Sequence, residues 1–304
     1  MKNLITVLGH TAAGKTAFAA HLAHSLGGEV ISADSRQVYR RMNIGTGKDY
    51  SDYLVEGQQV PVHLIDILEA GAEYNVYLFK HDFLKVYRDI SERGNMPVLC
   101  GGTGMYIESV LRNYRLVDVP PDSELREELE KKSMDELTGI LKLYVPLHNS
   151  TDTVNRKRMI RAIEIAMHQS RGPDPSEDVN YLCPLVLGIR YERSLRRERI
   201  TSRLSARMEE GMVEEVEGLL ENGITAQKLD YYGLEYRFVC KYLLNELTYD
   251  EMFCQLNSAI HQFAKRQMTY FRGMERRGIV IHWLEGTLSL DEKLEQAMSL
   301  INGS

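Results

Sequence analysis

The stretch Gly9-His10-Thr11-Ala12-Ala13-Gly14-Lys15-Thr16 matches the pattern GxxxxGK(S/T) at every fixed position, and it constrains the fold more than any other feature of the chain. An apolar run, Leu4-Ile5-Thr6-Val7-Leu8, precedes it, and an apolar-rich helical pattern, Ala17-Phe18-Ala19-Ala20-His21-Leu22-Ala23, follows. That is the strand-loop-helix setting in which such a loop grips phosphate. Gly9 and Gly14 let the backbone curl so that N–H groups around Thr11, Ala12 and Ala13 point inward, and the helix adds its positive end. Lys15 brings a full charge to the outermost phosphates, and the Thr16 hydroxyl can sit on a Mg²⁺ ion. The grip asks only for a diphosphate or longer, so the loop alone does not choose the ligand.

Further along, Glu29-Val30-Ile31-Ser32-Ala33 reads as a second buried strand ending in Asp34-Ser35-Arg36-Gln37. In an open parallel sheet, the carboxyl ends of strands carry ligands. Asp34 is therefore a candidate metal-binding acid, a base, or a cap for a helix beginning near Gln37. Residues 42–60 read as a mobile loop, 62–67 as a short strand and 77–94 as an amphipathic helix. Pro97-Val98-Leu99-Cys100 is a third buried strand, closed by the glycine corner Gly101-Gly102-Thr103-Gly104. Many nucleotide hydrolases end this strand in an aspartate for Mg²⁺, so Thr103 speaks against that chemistry. A charged helix is expected over 122–142, another over 152–168, a polar loop over 171–176 and a strand over 184–189. A long helix then carries Arg199, Arg203 and Arg207 at four-residue steps, a face that either reaches back to the phosphate loop or pairs with local glutamates. Helices over 231–277 and a last strand over 279–284 complete the reading.

The expected architecture is a three-layer α/β sandwich: a phosphate-loop core with a mostly parallel sheet (1–117 and 185–304) and a helical insert (118–184). At 304 residues, with 43% apolar and 26% charged side chains, the chain can bury a large core. No run approaches bilayer length and no export signal is visible, which points to a cytoplasmic protein without a membrane partner. Cys100, Cys183, Cys240 and Cys254 lack metal-type spacing and read as buried, reduced thiols. A net charge of −6 argues against coating nucleic acid through bulk electrostatics. Locally, however, Arg156 to Arg161, Arg190 to Arg207 and Lys265 to Arg277 form basic clusters suited either to a phosphate backbone or to solvated helix faces.

The stretches GHTAAGKT, ISADSRQVYRRMNIGTGK, HLIDI, PVLCGGTGMYI, NRKRMIRAIEI and FAKRQMTYFR resemble the tRNA dimethylallyltransferases, in that family's order and over nearly the whole chain. The resemblance implies that the loop holds dimethylallyl diphosphate and that the acceptor is an adenine flipped out of a tRNA anticodon loop. It implies that Asp34 takes the proton of the exocyclic amine, Thr103 donates to the bridging oxygen, and Lys15 and Arg203 stabilise the departing diphosphate with Mg²⁺ on Thr16. The tRNA would be contacted by Asp34, Ser35, Arg36, Gln37 and Gly104, by Lys157, Arg158 and Arg161, and by Lys265, Arg266, Gln267, Thr269 and Arg272. The enzyme is expected to be a monomer. Met268, Tyr270 and Phe271 read as helix core before base-stacking platforms. Rival readings are prenylation of free adenine nucleotides, a small-molecule kinase or NTPase, and an RNA-binding protein without chemistry.

Three departures stand out. His10 replaces a usual proline, with little effect expected because the loop's donors are backbone groups. Glu235, in Tyr232-Gly233-Leu234-Glu235-Tyr236-Arg237, replaces a usual glycine, where a carboxylate would repel RNA phosphate or alter a turn. The usual HPND string is reduced to His148-Asn149 and Asp152.

Overall fold

The computed structural model describes residues 2–144, 155–170 and 181–303; His148, Asn149, Asp152 and the loop expected over 171–176 lie outside the described residues. The phosphate-loop unit starts with β1 (Leu4–Gly9), α1 (Lys15–Ser25) and β2 (Gly28–Ser32). A 3-10 turn (Tyr50–Tyr53), β3 (Leu54–Val55), β4 (Gln58–Gln59) and β5 (Val62–His63) follow. Then come α2 (Val76–Glu92), β6 (Met96–Gly101) and α3 (Gly104–Leu111). After α4 (Ser123–Glu130), α5 (Met134–Tyr144) and α6 (Arg156–Gln169), the chain returns through β7 (Pro184–Arg190) and α7 (Arg193–Glu209). The last elements are α8 (Met212–Glu221), α9 (Ala226–Tyr232), α10 (Leu234–Leu243), α11 (Tyr249–Arg276), β8 (His282–Glu285) and α12 (Leu290–Asn302).

Six strands form one sheet in the order β5-β2-β6-β1-β7-β8, with every pair parallel. β1 and β2 are buried along their whole length, as strands covered on both faces must be. This is the expected α/β sandwich. Because β6 is inserted between β2 and β1, three strand ends lie side by side: the phosphate loop after β1, Asp34 beyond β2, and Thr103 beyond β6. That placement is what the sheet contributes to function.

Several local expectations are corrected. Residues 42–60 are a tied segment: the Glu215 carboxylate accepts from the N–H groups of Asn43, Ile44 and Gly45 at 2.7, 2.8 and 3.0 Å, and β3 pairs with β4. No helix starts at Gln37; residues 35–38 are a turn in which Asp34 Oδ1 accepts from the Arg36 N–H at 2.9 Å. The strand expected over 62–67 stops after two residues, because Leu64 and Asp66 take φ of 61° and 53°. After β8 a further helix, α12, was not foreseen; Ser289 and Glu292 form its capping box, and Leu290, Leu294, Met298 and Ile301 pack on the main core. Cys100 and Cys240 are buried, whereas Cys183 and Cys254 are exposed.

Residues Tyr114–Val179 form a separate compact unit. Leu129, Leu137, Leu141, Met159, Ile160 and Ile163 are its core. The single helix expected over 122–142 is two, because Ser133 and Glu136 cap the start of α5 reciprocally, with Ser133 N–H donating to Glu136 at 2.7 Å and Glu136 N–H to Ser133 Oγ at 3.3 Å. Inside the unit, Glu164 is gripped by Arg126 through two bonds of 2.8 Å and by Arg161 at 3.1 Å.

In the larger unit, Glu29 on β2 is 4% exposed and accepts from Arg93 (2.8 to 3.1 Å) and Asn95 (2.7 Å), with His63 Nε2 at 2.6 Å. Burial pushes its pKa up, but the bonds from Asn95, His63 and Arg93 outweigh burial and hold it below the ordinary carboxylate value. A lowered acid pKa contributes stability at neutral pH that is lost as pH falls through the acidic range. Glu29→Ala leaves His63, Arg93 and Asn95 without their acceptor; chemical denaturation is expected to show a loss of about 3 kcal/mol.

Candidate functional site

The phosphate loop is built on a left-handed residue: Gly14, the N-cap of α1, has φ 75° and ψ 28°. No side chain caps α1, so the N–H groups of its first turn are offered to a ligand. Gly9 ends β1 beneath the loop. Ala13 N–H bonds to the His10 carbonyl at 3.3 Å, and Thr11 N–H bonds to Gln267 Oε1 at 2.8 Å. Thr11 therefore spends its amide on a brace, which narrows its expected part in anion binding. His10 packs under the loop, fully buried, with Nδ1 2.6 Å from the Thr11 carbonyl and its ring edge-on to Tyr191 at 5.9 Å. Burial lowers its pKa to about 4, so it is neutral at physiological pH.

A cavity of about 370 Å³ opens in front of the loop. Thr11, Lys15, Thr16, Asp34, Ser35, Arg36, Gln37, Thr103, Gly104 and Arg203 all line it, so the three strand ends share one space. Lys15 Nζ donates to the His10 carbonyl at 2.8 Å. Burial is the main cause of a pKa lowered to about 8; Cys100 opposes it, and the nearby Arg203 adds a lesser lowering that Asp34 partly offsets. Thr103 Oγ1 accepts from Ser35 N–H at 3.1 Å and lies 3.5 Å from Ser35 Oγ. Asp34 Oδ2 has no protein partner among the described residues, its other oxygen being held by Arg36 N–H. The Arg36 guanidinium lies 5.0 Å from the Tyr231 ring centre, and Gln37 Nε2 donates to the Gly47 carbonyl at 3.0 Å.

The arginine face of α7 reaches the phosphate loop. Arg199 donates to the Ala12 carbonyl at 3.1 Å, and Arg203 pairs with Asp49 at 2.9 Å. Arg207 is buried against Gly47. Glu235 is the second residue of α10, so it distorts no turn; it faces the same cavity, and burial raises its pKa against the pull of Arg207. The concern that it would sit against RNA phosphate is replaced by an internal placement among the arginines.

On α11, Lys265, Arg266, Thr269 and Arg272 are exposed. Gln267 differs: it is 8% exposed, and its Nε2 donates to the Gly102 carbonyl at 3.0 Å while Oε1 holds Thr11. It is a brace between the two glycine corners, with both ends of its amide in use. Met268 and Phe271 are core, but Tyr270 lines the cavity and bonds to Glu108 at 2.6 Å. Exposed Met105, Phe263 and Arg266 bring the cavity to the surface. In the smaller unit, Lys157 and Arg158 are exposed, while Arg161 is turned to Glu164 and the Val119 carbonyl (2.7 Å). Among the described residues no three His, Cys, Asp or Glu side chains cluster as metal ligands, and no helix is long and apolar enough to cross a membrane.

Two comparisons with protein-family models match: "IPP transferase" over residues 37–274 and "Isopentenyl transferase" over residues 2–66. The chain is 55% identical over 300 residues to tRNA dimethylallyltransferase 1 of Parabacteroides distasonis, covering 98% of this chain and 97% of the relative. It is 56% identical over 297 residues to tRNA dimethylallyltransferase 1 of Porphyromonas gingivalis, covering 98% of each. Among solved structures it resembles the full-length tRNA isopentenylpyrophosphate transferase of Bacillus halodurans (TM-score 0.72, 31% identity, covering 100% of this chain and 96% of that one). It also shares its fold with a eukaryotic dimethylallyltransferase acting on tRNA (TM-score 0.80, 20% identity, covering 100% and 80%).

The residue that sequence reasoning passed over is Gly47, within Gly45-Thr46-Gly47. Its φ is 68°, and a methyl group there would lie 2.6 Å from Arg203 Nη2 and 2.9 Å from Arg207 Cζ. Gly47→Ala is expected to push both guanidinium groups out of place and weaken binding of inorganic pyrophosphate by about tenfold, or ~1.4 kcal/mol. Isothermal titration checks this, with an unchanged helical circular dichroism signal as control.

Proposed function

The chain belongs to the IPP transferase family of tRNA dimethylallyltransferases, prenyl-transferring enzymes, and on that premise we propose that it moves a dimethylallyl group from dimethylallyl diphosphate to the exocyclic amine of the adenosine beside the anticodon in tRNA. The observation that carries this reading is the single cavity in which phosphate loop, Asp34 and Thr103 meet. An allylic carbon whose diphosphate lies on the loop would face a purine held at Asp34, the in-line arrangement that alkyl transfer needs. The carbon–oxygen bond to the diphosphate breaks as the amine nitrogen bonds to the carbon. Asp34, with one oxygen fixed by Arg36 N–H, takes the proton that the amine sheds. Thr103, its lone pair already engaged by Ser35 N–H, turns its own proton toward the bridging oxygen. Lys15, Arg203 and the first turn of α1 hold the charge that builds on the leaving diphosphate.

The Thr16 hydroxyl lines the same cavity, and Mg²⁺ suits this donor set, since it keeps several waters and binds through one or two protein oxygens plus substrate phosphates. When bound, the ion would neutralise the diphosphate. The adenine must leave its stack to reach Asp34. Its tRNA would rest on the segment Asp34 to Gln37, on Gly104, on the exposed cations Lys265, Arg266 and Arg272 with Thr269, and on Lys157 and Arg158 of the smaller unit. Gln267, which braces the glycine corners and also lines the cavity, and Arg161, paired with Glu164, would complete that surface.

Incubating the protein with labelled dimethylallyl diphosphate and either tRNA or AMP tests the proposal. Label in tRNA is expected; label in AMP alone, or ATP hydrolysis without prenyl transfer, overturns it. Asp34→Ala is expected to lower turnover by about 10² to 10⁴ while tRNA affinity stays within twofold. Because Lys15 is charged below about pH 8 and neutral above it, kcat/KM for the prenyl donor should fall as pH rises through that value. Lys15→Arg, which stays charged, should remove that limb of the pH profile.

A further inference from the structure

Arg207 is 8% exposed and, among the described residues, its guanidinium makes no hydrogen bond and no ion pair, lying against the Gly47 backbone. Its companions on α7 differ: Arg199 has the Ala12 carbonyl and Arg203 has Asp49. A guanidinium carries five donors and no acceptor, and the unspent donors of Arg207 open onto the cavity, since none of its nitrogens is among the enclosed polar atoms that lack a partner. Such a group is retained where a ligand supplies the acceptors. Arg207 lines the main cavity and also a small notch formed by Thr11, Ala12, Arg203, Arg207 and Glu235, which places it beside the phosphate loop. Glu235 is the carboxylate that acts on it most strongly, a counter-charge across the notch that does not use its hydrogen bonds.

We propose that Arg207 is a second diphosphate-binding guanidinium, reaching the prenyl donor's diphosphate from the wall of the main cavity that it shares with Lys15, Thr16 and Arg203. This rests on the reading above that the loop holds an allylic diphosphate. A purine edge would satisfy at most two of the five donors, whereas phosphate oxygens match the guanidinium fork and its charge. The geometry also gives Gly47 a purpose: the bare backbone lets Arg203 and Arg207 lie together over the cavity.

The test is pyrophosphate titration and steady-state kinetics with the full chain, comparing wild type, Arg207→Met and Arg207→Lys. The Met variant is expected to bind inorganic pyrophosphate at least about tenfold more weakly and to raise the donor's KM in parallel, with KM for tRNA within twofold and an unchanged melting temperature. The Lys variant should recover part of the loss, because it restores charge without the fork. Pyrophosphate affinity within twofold of wild type in the Met variant overturns the proposal. So does equal loss in both variants accompanied by a fall in melting temperature, the signature of a structural residue. A rise in tRNA KM alone would reassign Arg207 to the acceptor. Wild-type protein that neither binds pyrophosphate nor prenylates tRNA would sink the parent reading, a result separable from normal wild-type behaviour with an indifferent Arg207.

Discussion

Positive charge held out of water, before any anion has arrived to neutralise it, is the constraint around which this molecule is arranged. Lys15, Arg203 and Arg207 converge on one cavity, and burial together with the nearby Arg203 charge works against the charged forms of Lys15 and Arg207. The fold holds them with partial compensation: a carbonyl for Lys15, Asp49 for Arg203, and Glu235 at a distance for Arg207. None of these partners matches the charge and donor count of what it faces. The site is therefore complementary to a compact polyanion, and donors already in place need no reorganisation when charge develops on a leaving group.

Keeping such a site open requires stiff walls, and the walls are tied by polar contacts spanning long stretches of sequence. Glu215 on α8 collects three backbone N–H groups from Asn43, Ile44 and Gly45 and also receives the Tyr236 hydroxyl at 2.8 Å. That one carboxylate fixes the segment carrying Gly47, on which the two guanidinium groups rest. Gln267 does the same for the glycine corners after β1 and β6, holding an N–H from one and a carbonyl from the other. Satisfied networks of this kind rigidify a site more than apolar packing alone, because each bond has a direction.

The features legible in the sequence were those set by local pattern. The phosphate loop, the buried strands and the arginine face of α7 follow from fixed spacings, and the family resemblance supplied roles for Asp34 and Thr103. What escaped notice was set by partners distant in sequence. Glu215 and Gly45 are 170 residues apart, so nothing in 42–60 itself announces that its amides are bound. Gln267 sits in a basic, RNA-like stretch, yet its amide belongs to Thr11, 256 residues away. Some misses had a visible signal: Ser289-Leu290-Asp291-Glu292 and Ser133-Met134-Asp135-Glu136 are capping boxes, and they mark the starts of α12 and α5.

Under the proposed function the same residue types serve two electrostatic purposes, separated by exposure. Lys265, Arg266 and Arg272 stand in solvent along α11, where salt screens them over about 8 Å. They are suited to drawing in a long polyanion and letting it go. Lys15 is partly buried and Arg207 buried at the cavity wall, where salt screens less than on the open surface, so their attraction for a diphosphate weakens less with ionic strength than that of the exposed cations for an RNA. Met105, Phe263 and Tyr270 line the cavity beside Arg266, offering largely apolar faces on which a base can stack and a solvated phosphate gains nothing. Exposed cations thus govern arrival of the acceptor, and buried ones govern retention of the donor. Neither set could take over the other's task without losing the solvent environment that defines it.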